Sequence, residues 1–150
     1  MPKRKDTKLE SEGAEFLVLG HLLIEGVHCY KAYVNFPGYD LIAVNPITEK
    51  IAKIQVKSRW ATDYDKSFPL KNFNCNFVVH VALNRGNSFG KRATKISPEP
   101  PAFYVLPIEE AKNALKESGG WSKVRLNKIP KAKLLFYKDN WQLIRDFLEN

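Results

Sequence analysis

The chain has 150 residues, 44% of them hydrophobic and 27% charged, enough to close the core of one domain and too apolar for a disordered tail. Its 24 Lys and Arg against 16 Asp and Glu leave a formal charge of +8, which draws polyanions (nucleic acid first, anionic membrane second) and says nothing about fold. The apolar runs, residues 16–19 among them, are far too short to span a bilayer, and the charged N-terminus leads into no apolar signal core, so a cytoplasmic protein without a membrane partner is expected.

Residues 1–10, with Lys3, Arg4 and Lys5, read as a basic flexible arm ahead of a single domain over 11–150. Ser11 is placed to cap a helix that runs to about Glu25 and stops at Gly26, with Phe16, Leu19 and Leu23 as its core face. Residues 27–34 are rich in β-formers and predict a strand, broken by Asn35, Phe36, Pro37 and Gly38. Residues 39–44 predict a second strand, 45–48 a turn, and 49–59 a third strand. Residues 60–76 have no clear period and are expected to cross the surface. Residues 77–83 are a strongly apolar run of strand length, expected to be buried on both faces. The stretch 84–102 holds three prolines, two glycines and the basic residues Arg85, Lys91, Arg92 and Lys95; so long a connection is functional or disordered. Residues 103–106 predict another strand, and Pro107 opens a helix to about Lys116 that ends at Gly119 and Gly120. From Trp121 a short extended piece precedes a final helix opened by Asp139 or Asn140. The order αβββ-β-βα with a C-terminal helix predicts an α/β (α+β) fold, a mixed central sheet flanked by helices.

Cys29 and Cys75 have neither CxxC spacing nor the density of a disulfide scaffold, and read as buried, reduced thiols. His21, His28 and His80 lack metal-ligand spacing, so core or surface roles are expected of each.

The second and third strands carry the chemistry. Asp40 opens an apolar strand, and a short turn later the partner reads Ile54, Gln55, Val56, Lys57, Ser58. Side chains alternate across a strand, so Gln55 and Lys57 share one face, and hairpin pairing can bring Asp40 beside them. A carboxylate, an amide oxygen and an ammonium then meet at the rim of an otherwise apolar sheet. Phosphodiester hydrolysis needs such a set: hard oxygens for Mg²⁺, and a lysine to handle a water proton or developing negative charge. Glu15, inside the first helix, offers a further oxygen if that helix packs across the hairpin.

This arrangement resembles the PD-(D/E)XK nuclease superfamily. The matching pieces are Glu15 in the opening helix, Gly38-Tyr39-Asp40-Leu41-Ile42 in place of the Pro-Asp element, and Gln55-Val56-Lys57 in place of (D/E)-X-K. They cover about residues 11–59, with the intron-encoded bacterial homing endonucleases and the Holliday-junction resolvase-like members as the most similar branches. The resemblance implies a restriction-endonuclease-like core. It also implies metal ligation by Asp40, Gln55, Glu15 and the Val56 carbonyl, catalysis by Lys57, and Mg²⁺ as cofactor with Mn²⁺ able to substitute. Two departures stand out: Gly38 and Tyr39 separate Pro37 from Asp40, and Gln55 is neutral where the family usually has a carboxylate.

Each residue also has a plain structural role open to it. Asp40 suits a turn cap, Gln55 and Lys57 a solvated strand face, and Glu15 the acidic start of a helix. Their order on helix, strand and strand favours the site. Glu12 is the main rival for the role given to Glu15, with Glu10 behind it. Arg85, Lys91, Arg92 and Lys95 are candidates for DNA contacts or a solvated loop, and Lys123, Arg125, Lys128, Lys131 and Lys133 form a second basic stretch. Trp60, Trp121 and Trp141 read as core or interface anchors.

The leading expectation is a Mg²⁺-dependent endonuclease that cuts double-stranded DNA at a defined site, of homing or restriction type. A junction-resolving nuclease and a catalytically silent DNA-binding module are the alternatives. Cutting both strands needs two centres, so a homo-oligomer, dimer or tetramer, is expected.

Overall fold

Helix α1 (Lys8–Ile24) opens the part of the chain that the computed structural model describes, namely residues 7–32, 39–62, 67–86, 96–118 and 121–150. It starts a turn before Ser11, and Ser11 N–H donates to the Thr7 carbonyl as the first helical bond, so Thr7 and not Ser11 stands at the cap position. The stop falls where glycine predicts it. Gly26, at φ +80°, donates to the Leu23 carbonyl and Val27 donates to the Leu22 carbonyl, the paired bonds of a Schellman ending. The core face of α1 differs from the expected one. Ala14, Val18 and Leu22 are buried, whereas Phe16 and Leu23 are 50% and 52% exposed. The helix carries two apolar stripes, and the one with the smaller Ala14 lets it lie close on the sheet.

The predicted strands appear with trimmed ends as β1 (His28–Lys31), β2 (Leu41–Val44) and β3 (Ile51–Arg59). They form an antiparallel meander in which β2 covers only the first part of β3, from Leu41 opposite Ile54 to Val44 opposite Ile51. Beyond it β5 (Phe77–Ala82) runs parallel to β3, and β6 (Ala102–Pro107) closes the sheet antiparallel to β5. The five-stranded order is β1-β2-β3-β5-β6, and every residue of β5 is buried, as a strand covered on both faces must be.

One face of this sheet packs on α1 and the C-terminal helix α4 (Gln142–Glu149), through Val18, Leu22, Ile54, Val79, Trp141 and Ile144 among others. The other face carries a second core around Phe68, Val78, Tyr104, Leu106 and Val124. Here the structure adds elements that periodicity misses. The segment expected to cross the surface contains β4 (Ser67–Pro69), and the helix expected through Lys116 ends early as α2 (Ile108–Asn113). The chain continues as β7 (Leu115–Ser118), which pairs with β8 (Trp121–Arg125); with β4 they make a second sheet, β4-β8-β7. Lys116 and Glu117 would suit a helix, but pairing along β8 overrides a weak local preference. Helix α3 (Lys131–Tyr137) precedes α4 and was not foreseen by the pattern. Among the described residues no helix is long and apolar enough to cross a membrane.

Candidate active site

The site lies where β3 outruns β2. Asp40, the residue before β2, is held by its backbone on both sides: its N–H donates to the Ile54 carbonyl at 2.8 Å, and its carbonyl accepts from Ala32 N–H at 2.9 Å. Val56 sits past the last β2–β3 pair, so its edge N–H lacks a strand carbonyl. The Asp40 carboxylate supplies the acceptor instead, with Oδ2 2.8 Å from Val56 N. This bond pins the carboxylate to the strand that carries Gln55 and Lys57.

Gln55 and Lys57 alternate with Val56 on the face of the second core, in register with Val78 and His80 of β5. The Cys75 thiol lies 4.0 Å from Gln55 Oε1. Lys57 is half-buried, and that burial pushes its pKa down while the negative charge of Asp40 pulls the other way. Burial and then the charge of Asp40 push the Cys75 thiol up to about 11, against the cations Lys112 and Lys57. Asp40, Lys57, Cys75 and Lys112 therefore share one electrostatic neighbourhood.

Glu15 enters from α1, one residue after the buried Ala14. Its pKa rises to about 7, first through burial, then through the like charge of Asp40, with Glu12 and a hydrogen bond shared with Asp40 adding to it. Lys31 opposes the rise. That lysine, at the end of β1, has a side chain only 5% exposed, forms an ion pair with Glu12, and lies 4.1 Å from the centre of the Phe16 ring. The pairing with Lys31 draws Glu12 aside and leaves Glu15 as the carboxylate that faces Asp40.

The four residues singled out in the sequence thus come together from helix α1, the residue before β2 and strand β3. Lys31 and Cys75 belong to the same neighbourhood and were not singled out. Lys31 could have been found from antiparallel pairing, since it stands opposite Leu41, next to Asp40. Cys75 precedes β5 and reaches the site only through the parallel β3–β5 pairing, which has no local signature. Arg85 is exposed and donates its backbone N–H to the Trp60 carbonyl, while Lys91, Arg92 and Lys95 lie outside the described residues, as do Lys3, Arg4 and Lys5. Of the second basic stretch, Lys133 pairs with Glu110, and Lys123 and Arg125 stand on β8. Trp141 is buried in the first core, Cys29 and Cys75 are buried free thiols, and His80 is buried between Phe68 and Tyr104.

No protein-family profile matches the chain, and no curated protein matches it in sequence. Among solved structures it is similar to the bacterial homing endonuclease I-Ssp6803I, at 20% identity and a TM-score of 0.59 over 94% of this chain and 93% of that one. A weaker likeness is to Hjc, a Holliday junction resolvase from the archaeal hyperthermophile Archaeoglobus fulgidus, at 14% identity and a TM-score of 0.48 over 81% and 88%. The mixed sheet flanked by helices is therefore the restriction-endonuclease-like fold that the PD-(D/E)XK resemblance implied, shared by this chain with a bacterial homing endonuclease.

Proposed function

We propose that this chain is a divalent-metal-dependent DNA endonuclease that hydrolyses phosphodiester bonds in duplex DNA at a defined site. The observation that carries the reading is the convergence of Glu15, Asp40, Gln55 and Lys57 at the open end of the β2–β3 hairpin. The basic charge of the chain and its homing-endonuclease fold support it.

The donors suit a hard cation. Asp40 stands close enough that its charge disfavours ionisation of Glu15, the situation that a bound dication relieves. Among the described residues there is no group of three or more His, Cys, Asp and Glu able to hold a metal. The remaining positions would fall to the Gln55 amide oxygen, the Val56 carbonyl and water, an all-oxygen shell that suits Mg²⁺ or Mn²⁺. When bound, such an ion offsets charge on the phosphate and lowers the pKa of a water. Asp40 keeps one carboxylate oxygen for ligation, since the other holds Val56 N–H. Lys57, desolvated and beside Asp40, presents its ammonium to the charge that develops on the phosphate and can exchange a proton with the attacking water. Arg85, Lys91, Arg92 and Lys95 are proposed to contact the DNA backbone, and the assembly is proposed to be a cytoplasmic homo-oligomer.

The neutral Gln55 favours one second reading, a DNA-binding module that no longer cuts. Incubation of the purified chain with a linear duplex library, a four-way junction and Mg²⁺ or a chelator tests the proposal. Mg²⁺-dependent cuts at a defined duplex site are expected. Cutting of the junction alone would shift the activity to junction resolution, and tight binding without cutting would leave the silent module.

A further inference from the structure

The face of α1 opposite its core stripe is apolar and largely exposed, with Lys31 lying over the flank of Phe16. Leu9 and Ile24 are each 83% exposed, Phe16 and Leu17 are exposed as well, and a Cβ built on Gly13 or Gly20 would meet nothing within 4 Å. At 100° per residue, Leu9, Gly13, Phe16, Gly20 and Ile24 fall on one side of the helix, turned away from Ala14, Val18 and Leu22, with Leu17 at one margin and the half-exposed Leu23 at the other. A soluble chain seldom leaves such a face uncovered.

The spacing on this face says what covers it. Along its middle it reads the same from either end: leucine or isoleucine, four residues to a glycine, three to Phe16 or Leu17, with the centre of symmetry between those two and only the marginal Leu23, whose mate is Glu10, outside the pattern. A two-fold axis pairs a surface with itself, residue i meeting j and j meeting i. Two copies of α1 laid antiparallel about that centre set Leu9 against Ile24, Gly13 against Gly20, and Phe16 against Leu17. The glycines meet where the helices are nearest, and without side chains there the axes can approach to the short end of the usual 8–10 Å range.

Area and charge agree with this occupant. The exposed side chains of Leu9, Phe16, Leu17 and Ile24 offer about 500 Å² per copy, so a pair buries at most roughly 1,000 Å², the lower end of what a specific interface needs. The helix that carries this face has Lys8 as its one Lys or Arg against Glu10, Glu12 and Glu15, so on a chain of charge +8 it offers little to a polyanion or an anionic bilayer. We infer that the chain forms a two-fold dimer through an antiparallel pair of α1 helices centred between Phe16 and Leu17. Because Glu15 rides on the same helix, this pairing also fixes the two candidate sites relative to each other. The inference rests on the α1 face alone and stands or falls independently of the proposed cleavage chemistry.

The test uses the full chain in sedimentation equilibrium and in oxidative cross-linking. A dimer is expected at about 10 µM, and the double variant Leu9→Glu, Ile24→Glu should weaken it by about 100-fold or more, since it buries charge without partners. Both positions are almost fully exposed, so an unchanged thermal melt of the variant at monomeric concentration checks the fold. Leu17→Cys should cross-link to its own copy across the axis. Ile24→Cys should not, because its copies lie about 20 Å apart along the helix. Cys29 and Cys75 are buried and give no background. A chain that stays monomeric at 200 µM, a dimer indifferent to the double variant, or cross-linking at residue 24 in place of 17 would each overturn the inference. So would a monomer whose residue-17 thiol is shielded from reagents, which would assign the face to a segment of the same chain.

Discussion

Asp40 holds the edge of β3 and is proposed to anchor a dication, two roles that two substitutions can separate. Asp40→Ala removes the carboxylate that accepts Val56 N–H at 2.8 Å, in a partly buried edge of β3 that β2 does not reach. An unsatisfied buried N–H costs about 1–3 kcal/mol. Removing the like charge beside Glu15 returns part of that. The net loss should be about 1–2 kcal/mol, which lowers Tm by roughly 2–8 °C in a domain of this size. Asp40→Asn keeps an oxygen acceptor for Val56 N–H and should leave Tm within about 2 °C of the parent. If Asp40 anchors a dication, both variants lose cleavage by about three orders of magnitude, because the charge that the ligand supplies is gone in each. Urea and thermal melts with a plasmid-nicking assay in Mg²⁺ read both effects. An Asn variant that cuts at the parental rate would refute the metal role, and an Ala variant as stable as the parent would refute the strand-edge account.

Three further outcomes follow from the same neighbourhood. Lys57→Ala should leave DNA affinity nearly unchanged while slowing single-turnover cleavage by about 100-fold or more; loss of binding with a salt dependence shallower by about one ion would make Lys57 a phosphate contact instead. Gln55→Glu should tighten the apparent Mg²⁺ affinity and preserve cutting, read from a metal titration, and complete loss of activity at every metal concentration would show that the amide itself is required. Glu15→Gln should stabilise the protein in the presence of a chelator above pH 7. An acid whose folded pKa stands at about 7, above its unfolded value near 4.5, binds more protons folded than unfolded between the two, so the penalty grows as pH rises through that window and is absent below it. Glu15 is only partly buried, so the gain should be on the order of 1 kcal/mol; a pH-independent gain in urea melts from pH 4 to 8 would contradict it.

The sequence by itself determined the elements whose signals are local. Gly26 ends α1 because a left-handed residue closes the last turn, alternation puts Gln55 and Lys57 on one face, and a run apolar but for His80 marks β5 as buried on both sides. The candidate residues Glu15, Asp40, Gln55 and Lys57 were legible for the same reason, since three of them lie on one hairpin and the fourth on the helix beside it. What only the tertiary structure decided depends on partners distant in the chain. The β4-β8-β7 sheet overrides the helical preference of residues 115–117 through pairing that no periodicity records, and the parallel β3–β5 pairing brings Cys75 within reach of the site. Packing also chose between the two apolar stripes of α1. Ala14, Val18 and Leu22 won because the small Ala14 lets the helix settle on the sheet, which left Phe16 and its neighbours facing outward. Counting apolar residues cannot make that choice, because both stripes satisfy the period and only the shape of the sheet beneath distinguishes them.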